Sequence, residues 1–171
     1  MTKNKLGIIG GSGLYEIEGL EKPKWKSITT PWGKPSDEIL NKVDYDKIAA
    51  VESRGFIFAS PLSYNLTKPN ILMRKQNKLP AEKYSVSFEL EYGNAVLEIH
   101  KDSINPKEKV IIVDDLIATG GTAEAAAKLI EKSGGEVAGF IFVINLFDLG
   151  WKEFLEKKGY KTYSLIDFPG H

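Results

Sequence analysis

Residues 110–123 constrain the fold more than any other stretch of this chain. Val110-Ile111-Ile112-Val113 is a continuous apolar run, the pattern of a strand covered on both faces in a parallel sheet. The run ends in two adjacent carboxylates, Asp114 and Asp115. A turn with Gly120 and Gly121 flanked by Thr119 and Thr122 follows, and a helix starts near Thr122. Ala123, Ala126, Ala127 and Ile130 fall at i, i+3, i+4 and i+7, so one helical stripe is apolar, and Gly134-Gly135 stops it. A buried strand feeding a helix through such a turn belongs in an α/β fold, where ligands bind at the carboxyl ends of strands.

The neighbouring segments keep the same rhythm. Residues 47–52 read as a strand ending in the charged turn Ser53-Arg54-Gly55, and 56–66 as a buried helix. Residues 70–73 read as a second strand, leading into a basic loop over 74–85. Runs at 87–92 and 95–100 flank Gly93-Asn94 and read as a hairpin. Residues 137–145 form another buried strand, 151–158 a helix packed by Trp151, and 162–166 a last strand. The expected fold class is therefore α/β, a mostly parallel sheet flanked by helices, with a lid hairpin.

Composition narrows the function classes. The 171 residues suit one domain, and 42% apolar with 27% charged residues is a globular balance. Lys plus Arg equals Asp plus Glu at 23 each, so no global field attracts nucleic acid or a membrane, and any anion site must be local. Absence of cysteine excludes disulfides and thiolate zinc sites. No run approaches the ~20 apolar residues of a membrane span, and the start lacks a signal h-region, so a cytoplasmic location is expected.

The glycine turn offers backbone N–H groups and a helix N-terminus to an anion. Two carboxylates beside it would repel a bare phosphate, but they suit sugar hydroxyls or a divalent cation. A sugar phosphate satisfies both halves. The bland alternative is an acidic turn at an ordinary strand–helix junction. No Gly-Lys-Ser/Thr follows, so it is not a Walker loop.

Residues 113–123 resemble the phosphoribosyl-pyrophosphate signature of type I phosphoribosyltransferases. Val51-Glu52-Ser53-Arg54-Gly55-Phe56, Arg74-Lys75 through Lys78-Leu79-Pro80, and Leu90-Glu91-Tyr92-Gly93 together resemble the adenine-specific family. The resemblance implies transfer of a phosphoribosyl group from phosphoribosyl pyrophosphate to adenine, giving AMP and pyrophosphate, with Mg2+, by a homodimer. It implies that Ala118, Thr119, Gly120, Gly121, Thr122 and Ala123 cradle the 5′-phosphate. Asp114 and Asp115 would hold the ribose hydroxyls, directly or through the metal shell. Ser53, Arg54 and Gly55 would meet pyrophosphate, with Arg74, Lys75 and Lys78 on a loop closing over it. Glu91 matches the acid/base at the purine, and Tyr92 a lid aromatic. Arg54 alone could equally be a surface arginine, Lys75 and Lys78 a solvated face, and Glu91 a cross-strand partner of a lysine. His100 reads as structural, and His171 as a frayed end.

Residues 1–42 resemble something different, the start of S-methyl-5′-thioadenosine phosphorylase, with Gly10-Gly11-Ser12-Gly13 as its phosphate turn. Gly11 and Ser12 are the matching positions. The expectation is a hybrid chain, a phosphorylase-like segment (1–42) ahead of a phosphoribosyltransferase core (43–171), joined within 39–45. The family's own N-terminal hood over adenine is not spelled out. Phosphorylase activity, or a non-catalytic protein that binds phosphoribosyl pyrophosphate or AMP, are the alternatives.

Overall fold

A computed structural model of the chain describes residues 43–90, 93–117 and 120–170. The order is β1 (Lys47–Val51), α1 (Arg54–Leu66), β2 (Asn70–Lys75), β3 (Lys83–Leu90), β4 (Gly93–His100), β5 (Lys109–Ile117), α2 (Gly121–Lys132), β6 (Glu136–Leu146), a 3-10 turn (Phe147–Leu149), α3 (Trp151–Lys157) and β7 (Thr162–Phe168). The strands form one sheet in the order β3-β4-β2-β1-β5-β6-β7. The five central and right-hand strands, β2-β1-β5-β6-β7, are parallel, and the β3–β4 hairpin adds an antiparallel extension. The α/β fold with a mostly parallel sheet is thus as expected.

The helices cover opposite faces. Ala59 and Leu62 of α1 pack with Ile48, Ala50, Ile111, Val113 and Ile141. Ala126, Ala127 and Ile130 of α2 pack on the other face with Ala49, Val51, Ile112, Phe140 and Phe142. Adjacent β5 residues thus alternate between two cores, which is why residues 110–113 are apolar without interruption. Small alanines let α2 lie close to the sheet, and Gly134 ends it at φ 86.

Order reverses at β1. From it the chain crosses to β2 on one side, and after the hairpin it returns to β5 on the other, so the carboxyl ends of β1 and β5 open a crevice at the switch point. The register pairs Ala50 with Val113, bringing residues 52–55 beside Asp114 and Asp115.

Several sequence expectations are corrected. β5 does not end at the acidic pair but runs on to Ile117, because β6 keeps pairing with it up to Ile117↔Asn145. Arg74 and Lys75 belong to β2, held in the ladder by Glu98 and Leu97, so the loop shrinks to 76–82. Gly93-Asn94 is not the hairpin turn: both residues are in β4, and the last registered pair is Leu90↔Gly93. α1 starts at Arg54 rather than 56. The segment 1–42, with Gly11 and Ser12, lies outside the described residues, as do Glu91, Tyr92, Ala118, Thr119 and His171.

Candidate active site

A cleft of about 340 Å³ opens at the switch point. Ser53, Arg54, Lys75, Asp114, Asp115, Gly120, Thr122 and Ala123 all line it, together with Phe88 and Ala95 of the hairpin. Residues from at least five separate stretches of the sequence therefore meet in one concavity. Arg74, Lys78, Gly55 and Gly121 are not on its wall.

The acidic pair forms part of the cleft wall. Asp115 is engaged by Arg54, whose Nε donates to Oδ2 at 2.5 Å; the Arg54 side chain is 68% exposed against 21% for Asp115. Asp114 accepts the Asp115 backbone N–H at 2.9 Å. Burial pushes the Asp114 carboxyl up to about 7, and the negative Asp115 beside it adds to the shift. A buried carboxylate that resists ionising gains from a ligand that brings positive charge or hydroxyl donors.

Two glycines set the backbone geometry. A side-chain carbon at Gly55 would come 2.8 Å from the Val113 carbonyl, so only glycine lets the first turn of α1 sit on the end of β5. Gly120 caps α2 in the left-handed region at φ 62, and a side-chain carbon there would overlap the Trp151 indole. Trp151 packs on the core, edge-on to Phe154, and floors the glycine turn. Sequence reading gave Trp151 only the packing role. Its place under Gly120 carried no local signal, because 31 residues separate them in sequence but none in space.

Arg74 is placed differently from expectation. It is a β2 residue whose Nε donates to Glu52 at 3.0 Å, and its guanidinium lies over the Phe56 ring at 6.0 Å. Glu52 also accepts the Lys75 backbone N–H at 2.7 Å. Burial pushes the Glu52 carboxyl up, but Arg74 and Lys75 outweigh it and hold it below its usual range. Arg74 thus braces residues 52–55 from behind, and Lys75 alone of the pair faces the cleft. The Glu52–Ser53 peptide is cis. Glu52, which the sequence placed at the end of the first strand, lies just past β1 and is the hub of this bracing.

Among the described residues, no three His, Cys, Asp or Glu side chains gather as a metal cage. Asp114 and Asp115 supply two hard oxygen donors, a set that fits a divalent cation keeping most of its own waters.

The chain is similar to known proteins of a single family. The phosphoribosyl transferase domain family matches residues 36–169. The adenine phosphoribosyltransferase of Pelagibacter ubique is 67% identical over 126 residues, 74% of this chain and 72% of that protein. The crystal structure of the Thermoanaerobacter pseudethanolicus enzyme superposes with a TM-score of 0.72 at 47% identity, over 78% of each chain. A Saccharomyces cerevisiae adenine phosphoribosyltransferase structure, complexed with an imino-altritol bisphosphate and adenine, gives a TM-score of 0.70 at 37% identity, over 76% of this chain and 72% of that one. With a parallel sheet reversing at β1, an acidic pair facing a glycine turn, and relatives of this identity, the chain belongs to the adenine phosphoribosyltransferase family.

Proposed function

We propose that this chain serves purine salvage, transferring the 5-phosphoribosyl group of phosphoribosyl pyrophosphate to adenine and releasing AMP and pyrophosphate. The observation that carries the reading is the meeting of Asp114-Asp115, the Gly120 turn and Arg54 in one cleft. A ligand with a phosphate at one end, hydroxyls in the middle and a second anionic group at the other would match all three. The yeast relative's structure is a complex with an imino-altritol bisphosphate and adenine, which supports an adenine and a phosphorylated ligand for this family.

In the reaction the C1′–oxygen bond to pyrophosphate breaks, and a bond from the purine nitrogen to C1′ forms. Positive charge develops on the ribose and negative charge on the leaving group. Backbone N–H groups at 118–123 and the N-terminus of α2 bind the 5′-phosphate and fix the ribose. Asp114 and Asp115 accept the ribose hydroxyls. Arg54 exchanges its ion pair with Asp115 for the pyrophosphate as the substrate enters, with Ser53, Gly55 and Lys75 alongside and Lys78 on the following turn. Arg74 contributes through Glu52. Magnesium bound with pyrophosphate would neutralise the leaving charge. Glu91 takes the proton lost by adenine and Tyr92 shields the reacting groups, two roles assigned from the family pattern.

We assign residues 1–42 to a phosphorylase-like origin on the strength of Gly10-Gly11-Ser12-Gly13, with residues 43–171 as the catalytic core. A segment without the family's hood would weaken adenine binding before ribose phosphate binding. A homodimer in the cytoplasm fits the family. In support of the dimer, α1 leaves Ile57 69% and Tyr64 64% exposed, and Leu72 of the same sheet face is 42% exposed.

The test is to supply adenine, phosphoribosyl pyrophosphate and magnesium and follow AMP. Adenine release from methylthioadenosine and phosphate in place of AMP synthesis would refute the proposal. Tight binding of phosphoribosyl pyrophosphate without AMP would leave the non-catalytic binding reading.

A further inference from the structure

The geometry points to Glu98 as a positioning residue that holds the Lys75–Lys78 turn ready for the pyrophosphate end of the substrate. It deepens the proposed function and rests on the role given there to these two lysines.

Glu98 is in the middle of β4, and by strand alternation it reads as a solvent-facing position between Leu97 and Ile99. Leu97 and Ile99 do join the core under α2. Glu98 points to the other face, yet its side chain is only 3% exposed. A carboxylate buried in this way is costly unless charge and hydrogen bonds compensate. Its partners are the Asn77 backbone N–H at 3.0 Å, the Lys83 ammonium at 3.2 Å and the Ser85 hydroxyl at 3.5 Å. Asn77 is at the start of loop 76–82, and Lys83 and Ser85 are at its return, so one carboxylate ties both feet of the loop.

The foot that Glu98 holds is a turn with chemistry. The Lys78 N–H donates to the Lys75 carbonyl at 3.3 Å, making residues 75–78 a β-turn with Asn77 at the third position, φ 63. Lys75 and Lys78 are the first and fourth residues, so the turn brings their Cα atoms within about 7 Å of each other. Glu52 accepts the first amide of the turn, at Lys75, and Glu98 the third, at Asn77. Each carboxylate fixes a backbone N–H and leaves the lysine side chains free to face an anion. Glu52, Ser53, Arg54 and Lys75 line the cleft, so the two carboxylates fix the turn where its first residue meets the cleft wall. Fixing cations before the substrate arrives lowers the ordering cost of binding.

The experiment compares wild type, E98Q, E98A and E98D for pyrophosphate–magnesium binding by calorimetry, amide exchange, and KM for both substrates. E98A should weaken pyrophosphate binding and raise KM for phosphoribosyl pyrophosphate about tenfold, with KM for adenine unchanged. Its Asn77 amide should exchange at least tenfold faster while β5 and β6 amides keep their rates. E98Q still accepts from Asn77 and should stay within about threefold of wild type. E98D keeps the charge but falls a methylene short of Asn77, and it should behave like E98A if E98A does not fold. A folded E98A or E98D with a freed Asn77 amide and unchanged pyrophosphate affinity overturns the proposal. A wild-type protein that binds neither pyrophosphate nor phosphoribosyl pyrophosphate sinks the function reading instead.

Discussion

Asp114 and Asp115 differ although they are adjacent. Asp115 keeps an arginine partner and Asp114 keeps a proton-favouring burial, so the two carboxylates are not interchangeable acceptors. Replacing either with Asn preserves shape but halves the acceptor capacity and removes charge. D114N and D115N should each lower kcat/KM for phosphoribosyl pyrophosphate by a factor on the order of 10²–10³, with KM for adenine little changed, in a steady-state AMP assay. Gly120 offers a sharper geometric test. An alanine there takes on a left-handed backbone cost of about 1 kcal/mol and collides with Trp151. G120A should therefore lose affinity for phosphoribosyl pyrophosphate by more than tenfold, and the double variant G120A/W151A should recover part of it. Recovery absent in calorimetry would show that Trp151 does not floor the turn.

Among the elements, β5 does most to join structure to site. Its apolar half is locked between two helices and its polar half makes the cleft wall. The start of β5 is fastened by Glu108, which accepts from Lys47 at 2.7 Å and from the Asn105 backbone N–H at 2.7 Å. Burial pushes the Glu108 carboxyl up, but these donors outweigh it and hold it at about 2, against an ordinary 4.5. A depressed folded-state value means the stabilisation is complete above the unfolded value and is lost as pH falls from about 4.5 through about 2. E108Q should cost on the order of 1–3 kcal/mol in urea unfolding at pH 7, and the difference from wild type should shrink steadily below pH 4.5. The α2 face has the opposite character, since its fit depends on small size. Ala126 is fully buried against the sheet, and A126L should destabilise by roughly 1–3 kcal/mol through overpacking, read as a lowered midpoint at unchanged slope.

At the scale of the whole molecule, the α1 side of the sheet keeps Ile57, Tyr64 and Leu72 in the open while the α2 side is closed by α3 and the hairpin. If that row is the dimer contact, I57E/Y64E should convert a dimer to a monomer in light scattering, with the unfolding midpoint shifting by protein concentration only in wild type. A monomeric wild type would remove this surface from consideration. No helix among the described residues is long and apolar enough to cross a membrane.

Local periodicity and chemistry were enough to read the strand at 110–113, the Ala stripe of α2, the acidic pair and the glycine turn, because each is written within one or two turns of chain. The α/β class followed from their alternation. Element ends were less legible: β5 reaches Ile117 only because β6 pairs with it, and Arg74 joins β2 only because Glu98 and Leu97 lie opposite. The partners of the site's charges were not legible at all. Arg54 and Asp115 are 61 residues apart, Arg74 and Glu52 are 22 apart, and Glu98 reads as an exposed strand residue until a loop folds over it. Sequence alone determined which chemical groups this protein owns and in what order. The tertiary structure decided which of them are paired, buried or free to meet a ligand, because that depends on sheet order at the switch point and on burial, neither of which any short stretch of chain encodes.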